Sequence, residues 1–141
     1  MRALYLLLGT NLGDREANIT EALRRLEAVF CPPVAQSPVM ETAACGFVAP
    51  PFLNTVVVYR SARKPENILK ICKKIERAMG RKDVPEYAQD GSRIYHNRII
   101  DIDILFYGDL KIDTPELKIP HPQVEDRPFV KELLANVGEL Q

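Results

Sequence analysis

What the chain lacks narrows the field first. Its 141 residues carry no net charge, because 19 Lys and Arg balance 19 Asp and Glu. A nucleic-acid-binding surface ordinarily shows a basic excess, so that class is disfavoured. No apolar run reaches the roughly 18–20 residues that span a bilayer. The hydrophobic start, Met1-Arg2-Ala3-Leu4-Tyr5-Leu6-Leu7-Leu8, runs into Gly9-Thr10-Asn11 without a small-x-small cleavage signal. A buried strand is expected there rather than a signal peptide. Cysteine is scarce: Cys31, Cys45 and Cys72 are odd in number, far apart and form no CxxC pair. Neither a disulfide framework nor a zinc site is indicated, and reduced thiols in a cytoplasmic protein are expected. No internal repeat and no dividing linker is present, so one domain over residues 1–141 is expected.

The residues that are present form an ordinary globular mix, 46% apolar and 27% charged. The zero net charge hides a segregation. Residues 60–98 hold 11 basic and five acidic side chains, whereas residues 99–126 hold two basic and seven acidic. Solvated helix faces would explain this. So would a site where basic groups meet an anionic ligand and acidic groups meet a cation.

Periodicity outlines the elements. Ala3–Leu8 reads as a buried strand, and Gly9–Asp14 as a turn in which Asp14 caps the next helix. That helix carries Ile19, Ala22, Leu23, Leu26 and Phe30 at helical spacing. Cys31-Pro32-Pro33 ends it. Val34–Glu41 reads as a strand interrupted or edged at Pro38, and Phe52–Tyr59 as a strand rich in β-branched and aromatic residues. Pro65 opens a second helix with Ile68, Cys72, Ile75 and Met79 as its apolar stripe. Gly80 ends it. The polar stretch 81–97 has no period and reads as a long functional loop. Ile99–Tyr107 is the next strand. An irregular stretch leads to Pro120-His121-Pro122, and a short helix over about 129–137 ends the chain. The order β α β β α β predicts an α+β fold: a ferredoxin-like antiparallel sheet with two helices on one face and an irregular C-terminal extension.

The segment IIDIDILFY, residues 99–107, is the most informative. Alternation puts Ile100, Ile102, Ile104 and Phe106 on one face, expected to be the core, and Asp101 and Asp103 on the other. Aspartate is a poor strand former, and like charges on one face repel. A hard divalent cation such as Mg²⁺ would resolve both, since it takes one or two carboxylates together with phosphate oxygens and water. A solvent-facing acidic edge is the plain alternative. Arg98 before the strand and Arg81 after the second helix tilt the balance, because guanidinium groups grip phosphate oxygens bidentately. Carboxylates for metal and arginines for phosphate are the parts of phosphoryl transfer.

Taken together, the segments LGTNLGD (8–14), ET, CGF and FLN within 41–54, IERAMGR (75–81), RIIDIDILFYGD (98–109) and IPHPQVEDRPFV (119–130) resemble the 6-hydroxymethyl-7,8-dihydropterin pyrophosphokinase family. The resemblance covers nearly the whole chain. It implies transfer of diphosphate from ATP to the hydroxymethyl group of a reduced pterin, with AMP released, in folate synthesis. It implies two Mg²⁺ held by Asp101 and Asp103, and phosphate contacts from Arg81 and Arg98. Glu76, Ile104, Lys118 and His121 fall on the ATP side. Phe52 and Phe129 match aromatics that sandwich the pterin, and Asn54 matches the amide that reads its polar edge. Thr42, Ala43 and Cys45 match a segment offering backbone groups to that edge. Arg127 and Tyr95 match other positions around the site. The partners implied are the two small substrates, with no nucleic acid or membrane, acting on a cytoplasmic monomer.

Some positions depart from the family pattern. His96-Asn97 stands where Gly-Pro is frequent, Asp83 stands where a loop arginine is common, and the interval from Arg81 to Arg98 is long. The groups that clamp ATP from this loop are therefore open among Lys82, Arg93 and Lys118, and loop closure over the phosphates is expected. Two other readings stand beside this one. The first is a non-catalytic ferredoxin-like ligand-binding module. The second is an ATP-dependent phosphotransferase with another acceptor.

Overall fold

The computed structural model describes residues 1–43, 50–80, 86–87, 93–94 and 99–138. Its elements, in chain order, are β1 (Arg2–Thr10), α1 (Arg15–Phe30), β2 (Ala35–Gln36), β3 (Met40–Thr42), β4 (Phe52–Ser61), α2 (Pro65–Ala78), β5 (Glu86–Tyr87) and β6 (Arg93–Ile94). They continue with β7 (Asp101–Tyr107), β8 (Ile112–Asp113), β9 (Lys118–Ile119), α3 (Gln123–Asp126) and α4 (Pro128–Val137). The main sheet runs β2-β4-β1-β7, with β3 also paired to β4, and every pairing is antiparallel. This is the expected ferredoxin-like order, with β1 at the centre and β7 at an edge. Among the described residues, no helix is long and apolar enough to cross a membrane.

The local signals operate as physical chemistry requires. Asp14 Oδ1 accepts from the Ala17 N–H at 3.1 Å, satisfying one of the donors left free at the start of α1. Ile19, Ala22, Leu26 and Phe30 are buried along that helix, and full burial of one leucine is worth about 1.5–3 kcal/mol. Pro65 occupies the first turn of α2, where its missing N–H costs nothing. The expected strand Val34–Glu41 divides into β2 and β3 around Pro38. There the Ser37 hydroxyl stands in for a ladder partner, accepting from the Val56 N–H at 2.9 Å.

Two expectations change, and one gains detail. The strand expected to stop at Leu8 continues through Gly9 and Thr10, which pair with Asn54 and Leu53 of β4. The short helix expected over about 129–137 is α4, and it covers the face opposite α1 and α2. Leu7, Val56, Val58 and Leu105 form a second core there with Val130, Leu133 and Val137 of α4. Lastly, Phe106 does not share the face of Ile100, Ile102 and Ile104. The β1–β7 register shifts between Tyr5, opposite Phe106, and Leu6, opposite Ile104. Leu105 is thus an extra residue, a bulge. Beyond it the alternation inverts: Tyr107 joins the first core, while Leu105 and Phe106 pack in the second.

After α1 the chain turns through Cys31 at φ 65°, ψ −178°. That backbone region is essentially glycine's own and costs other residues about 1–3 kcal/mol. Cys31→Gly is therefore expected to stabilise the fold by about 1 kcal/mol after glycine's extra chain entropy is subtracted. Thermal unfolding checks this as a rise of a few degrees in Tm.

Candidate functional site

The site begins as one row across three strands. Gly9 of β1 lies opposite Asn54 of β4 on one side and opposite Asp101 of β7 on the other. Directly opposed residues share a face, and neighbouring strands lie about 4.8 Å apart. The amide of Asn54 and the carboxylate of Asp101 therefore flank a position with no side chain. A Cβ at Gly9 would stand 3.2 Å from Asn54 Oδ1 and 3.7 Å from the Phe52 ring. The glycine leaves the floor of a cavity of about 180 Å³, lined by Leu7, Gly9, Phe52, Asn54, Asp101, Asp103, Gln123 and Arg127. Asn54 is 5% exposed. Its Nδ2 donates to Thr42 Oγ1 at 2.8 Å and to the Met40 carbonyl at 3.4 Å, which fixes the orientation of the amide.

A second cavity, about 270 Å³, lies along the outer edge of β7. Lys73 and Glu76 of α2 line it, with Ile102, Asp103 and Ile104 of β7 and Glu116, Lys118 and His121 from the segment after it. Asp103 lines both cavities.

Two contacts hold β7 at this edge. Glu76 is almost fully buried, at 4% exposure. Its Oε2 accepts from the Ile102 N–H at 2.8 Å, so a charged acceptor satisfies the peptide between the two aspartates. At the bulge, the Leu105 carbonyl accepts from the His121 N–H at 3.0 Å. His121 is thereby carried to Asp103. Its Nδ1 accepts from the Gln123 N–H at 3.1 Å, which leaves Nε2 to bear the ring hydrogen. That Nε2 lies 3.9 Å from Asp103 Oδ1. Gln123 Nε2 donates to the other oxygen, Asp103 Oδ2, at 2.9 Å. The Cys72 thiol on the buried face of α2 is pushed well above the ordinary thiol range, first by burial and then by the negative charges of Glu76 and Asp103. It is a core residue rather than a nucleophile.

The fold thus brings together Phe52, Asn54, Asp101, Asp103 and Arg127 in one cavity and Glu76, Ile104, Asp103, Lys118 and His121 in the other. Lys118 Nζ also pairs with Asp113 Oδ1 at 2.6 Å. Thr42 meets the site through its bond to Asn54, and Ala43 is exposed beside it. Phe129 stands next to the smaller cavity's rim rather than in its lining, and the guanidinium carbon of Arg127 lies 4.6 Å from its ring centroid. Arg81, Arg98, Cys45, Tyr95 and Lys82 lie outside the described residues, as does the side chain of Arg93 and most of the loop 81–97. Gly9 and Gln123 are site residues that the sequence does not single out. Gly9 reads there as a turn residue, and Gln123 carries no pattern of its own.

Mg²⁺ fits the donors present. Among the described residues, no three His, Cys, Asp or Glu side chains group as a metal cage. Two carboxylates on one strand suit a hard cation that takes its remaining oxygens from phosphate and water.

Comparison with known proteins gives a consistent picture. The family model described as 7,8-dihydro-6-hydroxymethylpterin-pyrophosphokinase matches residues 5–139. A 2-amino-4-hydroxy-6-hydroxymethyldihydropteridine pyrophosphokinase of Porphyromonas gingivalis is 42% identical over 140 residues, 98% of this chain and 92% of that protein. The protein of the same name from Aquifex aeolicus is 39% identical over 130 residues, 92% of this chain and 76% of that one. A folate synthesis bifunctional protein of Arabidopsis thaliana is 38% identical over 128 residues, 90% of this chain and 25% of its own length.

The Glu76–Ile102 contact makes a direct prediction. Glu76→Leu strands a buried N–H at the edge of β7 and is expected to cost about 2–3 kcal/mol. Glu76→Gln keeps an acceptor and is expected to cost less than half of that. Urea unfolding of the two variants beside the parent chain checks the difference.

Proposed function

The chain belongs to the 7,8-dihydro-6-hydroxymethylpterin-pyrophosphokinase family, and on that premise we propose how its residues divide the work. The enzyme transfers diphosphate from ATP to the hydroxymethyl group of 6-hydroxymethyl-7,8-dihydropterin, in folate synthesis. The observation that carries the division of labour is the position of Asp103, which lines the cavity beside Glu76 and His121 as well as the one beside Asn54 and Phe52. A residue common to two adjoining cavities is where two substrates would exchange a group.

In this reading the smaller cavity takes the pterin. Asn54 offers its amide to the aminopyrimidinone edge, Phe52 offers a ring face, and Gly9 leaves room for the flat heterocycle above the sheet. Phe129 supplies the opposite face. The edge cavity takes ATP, with Ile104 against the nucleotide and Lys118 and His121 beside its phosphates. Asp101 and Asp103 would hold two Mg²⁺. Bound there, the cation supplies neutralisation of phosphate charge. Arg81 and Arg98 are assigned to the phosphate oxygens on sequence alone.

The hydroxymethyl oxygen attacks the β-phosphorus and loses its proton to solvent, the bond from that phosphorus to the oxygen bridging it to the α-phosphate breaks, and AMP leaves. No covalent enzyme intermediate is needed. The protein's contribution is in-line positioning. Residues 1–141 act as one domain in this reading. The chain is taken to act as a monomer in this reading. The balanced charge and the cysteine spacing support a cytoplasmic enzyme without nucleic-acid partners.

Three outcomes test this. AMP release from ATP should depend on 6-hydroxymethyl-7,8-dihydropterin in a coupled assay, and turnover without the pterin would point to another acceptor. Asp101→Ala and Asp103→Ala should each lower kcat by about 100-fold or more with Tm little changed, the size expected when transition-state charge loses its stabiliser. Phe129→Ala should weaken pterin binding about tenfold, the loss of one aromatic contact, while ATP affinity stays near that of the parent chain.

A further inference from the structure

Gln123 lines the smaller cavity and bonds Asp103, the residue common to both cavities, and neither the family match nor the sequence pattern gives it a role. Its side-chain amide is used at both ends. Nε2 donates to Asp103 Oδ2 at 2.9 Å, and Oε1 accepts from Arg127 Nη1 at 3.3 Å. Arg127 in turn lies over the Phe129 ring at 4.6 Å, and a guanidinium over an aromatic face is attracted to it. The chain of contacts runs from a carboxylate at the junction of the cavities to an aromatic face already covered by a cation. A flat heterocycle and the guanidinium cannot both lie on that face of Phe129.

We infer that Gln123 is a positioning residue that keeps Arg127 parked on the Phe129 ring until the pterin displaces it, while orienting Asp103 with its other end. This rests on the assignment of Phe129 to the pterin. The amide suits the task because it is neutral and two-sided. Its N–H can serve the carboxylate without competing for a cation, and its carbonyl binds the guanidinium only weakly, as the 3.3 Å distance indicates. A carboxylate at position 123 would grip Arg127 by a charge-assisted bond and repel Asp103. An apolar side chain of the same length would hold neither.

The two replacements therefore carry opposite predictions. The full-length protein, free of nucleotide and in EDTA, is titrated with 6-hydroxymethyl-7,8-dihydropterin and followed by NMR, which reads dissociation constants into the millimolar range. Gln123→Met is expected to tighten pterin binding about 3- to 10-fold, the size of one hydrogen bond released. Gln123→Glu is expected to weaken it by a similar factor. The Arg127 side-chain protons report the cause: ring-current shifts from Phe129 should persist in Gln123→Glu and collapse in Gln123→Met. Thermal unfolding of both variants accompanies the titrations, because a merely structural role would move Tm without opposite-signed changes in affinity. Equal or same-signed affinity changes overturn the inference. If Phe129→Ala also leaves pterin affinity unchanged, the pterin assignment falls with it. If Phe129→Ala weakens binding as expected, the assignment stands and only the role of Gln123 is lost.

Discussion

An edge strand must do something with the peptide groups that face away from its sheet, and the site depends on how β7 does it. Unpaired edges invite pairing with other chains and are usually blunted or covered. Here Glu76 takes the Ile102 N–H and the His121 N–H takes the Leu105 carbonyl. Each contact satisfies the edge and also places a side chain. The first fixes the peptide between Asp101 and Asp103. The second brings an imidazole within 3.9 Å of Asp103. Two carboxylates that would be a liability in an ordinary strand are thereby held on an edge where substrate can reach them.

The bulge at Leu105 is part of the same solution. Before it, Ile100, Ile102 and Ile104 face the core under α1 and α2, so the aspartates face the other way. After it, the parity changes and Leu105 can bury itself under α4. The strand thus serves a polar site at one end and two apolar cores at the other. A strictly alternating strand would put Phe106 in the first core and Tyr107 in the second. The Tyr107 hydroxyl instead donates to the Ser61 and Arg63 carbonyls at 3.0 and 2.6 Å, closing the end of the sheet.

The α4 layer then explains why the face beside Gly9 and Asn54 is a cavity rather than an open sheet face. α3 and α4 cover Leu7, Val56 and Leu105 but stop short of Gly9 and Asn54, leaving a pocket at the end of the layer. Gln123 and Arg127 stand at its rim, between the carboxylates and the aromatic ring of Phe129. These contacts join Asp103, which lines both cavities, to the Phe129 ring.

Much of this was legible in the residues. The helix stripes, the Asp14 cap, the order of strands and helices, and the Asp-x-Asp strand all follow from local periodicity and residue chemistry, which act over a few positions. The order and spacing of the longer segments carried the family likeness and with it the substrates. The Leu105 bulge, the continuation of β1 through Gly9 and the second core beneath α4 were not legible. Each depends on which strand lies next to which, and register across a sheet is set by packing between distant segments. The same holds for Gln123 and for the guanidinium on Phe129. The sequence determined which groups could hold phosphate, cation and pterin. Only the tertiary structure decided that one carboxylate, Asp103, stands in both cavities, because the contacts that place it come from α2, β1 and the segment after β7 at once.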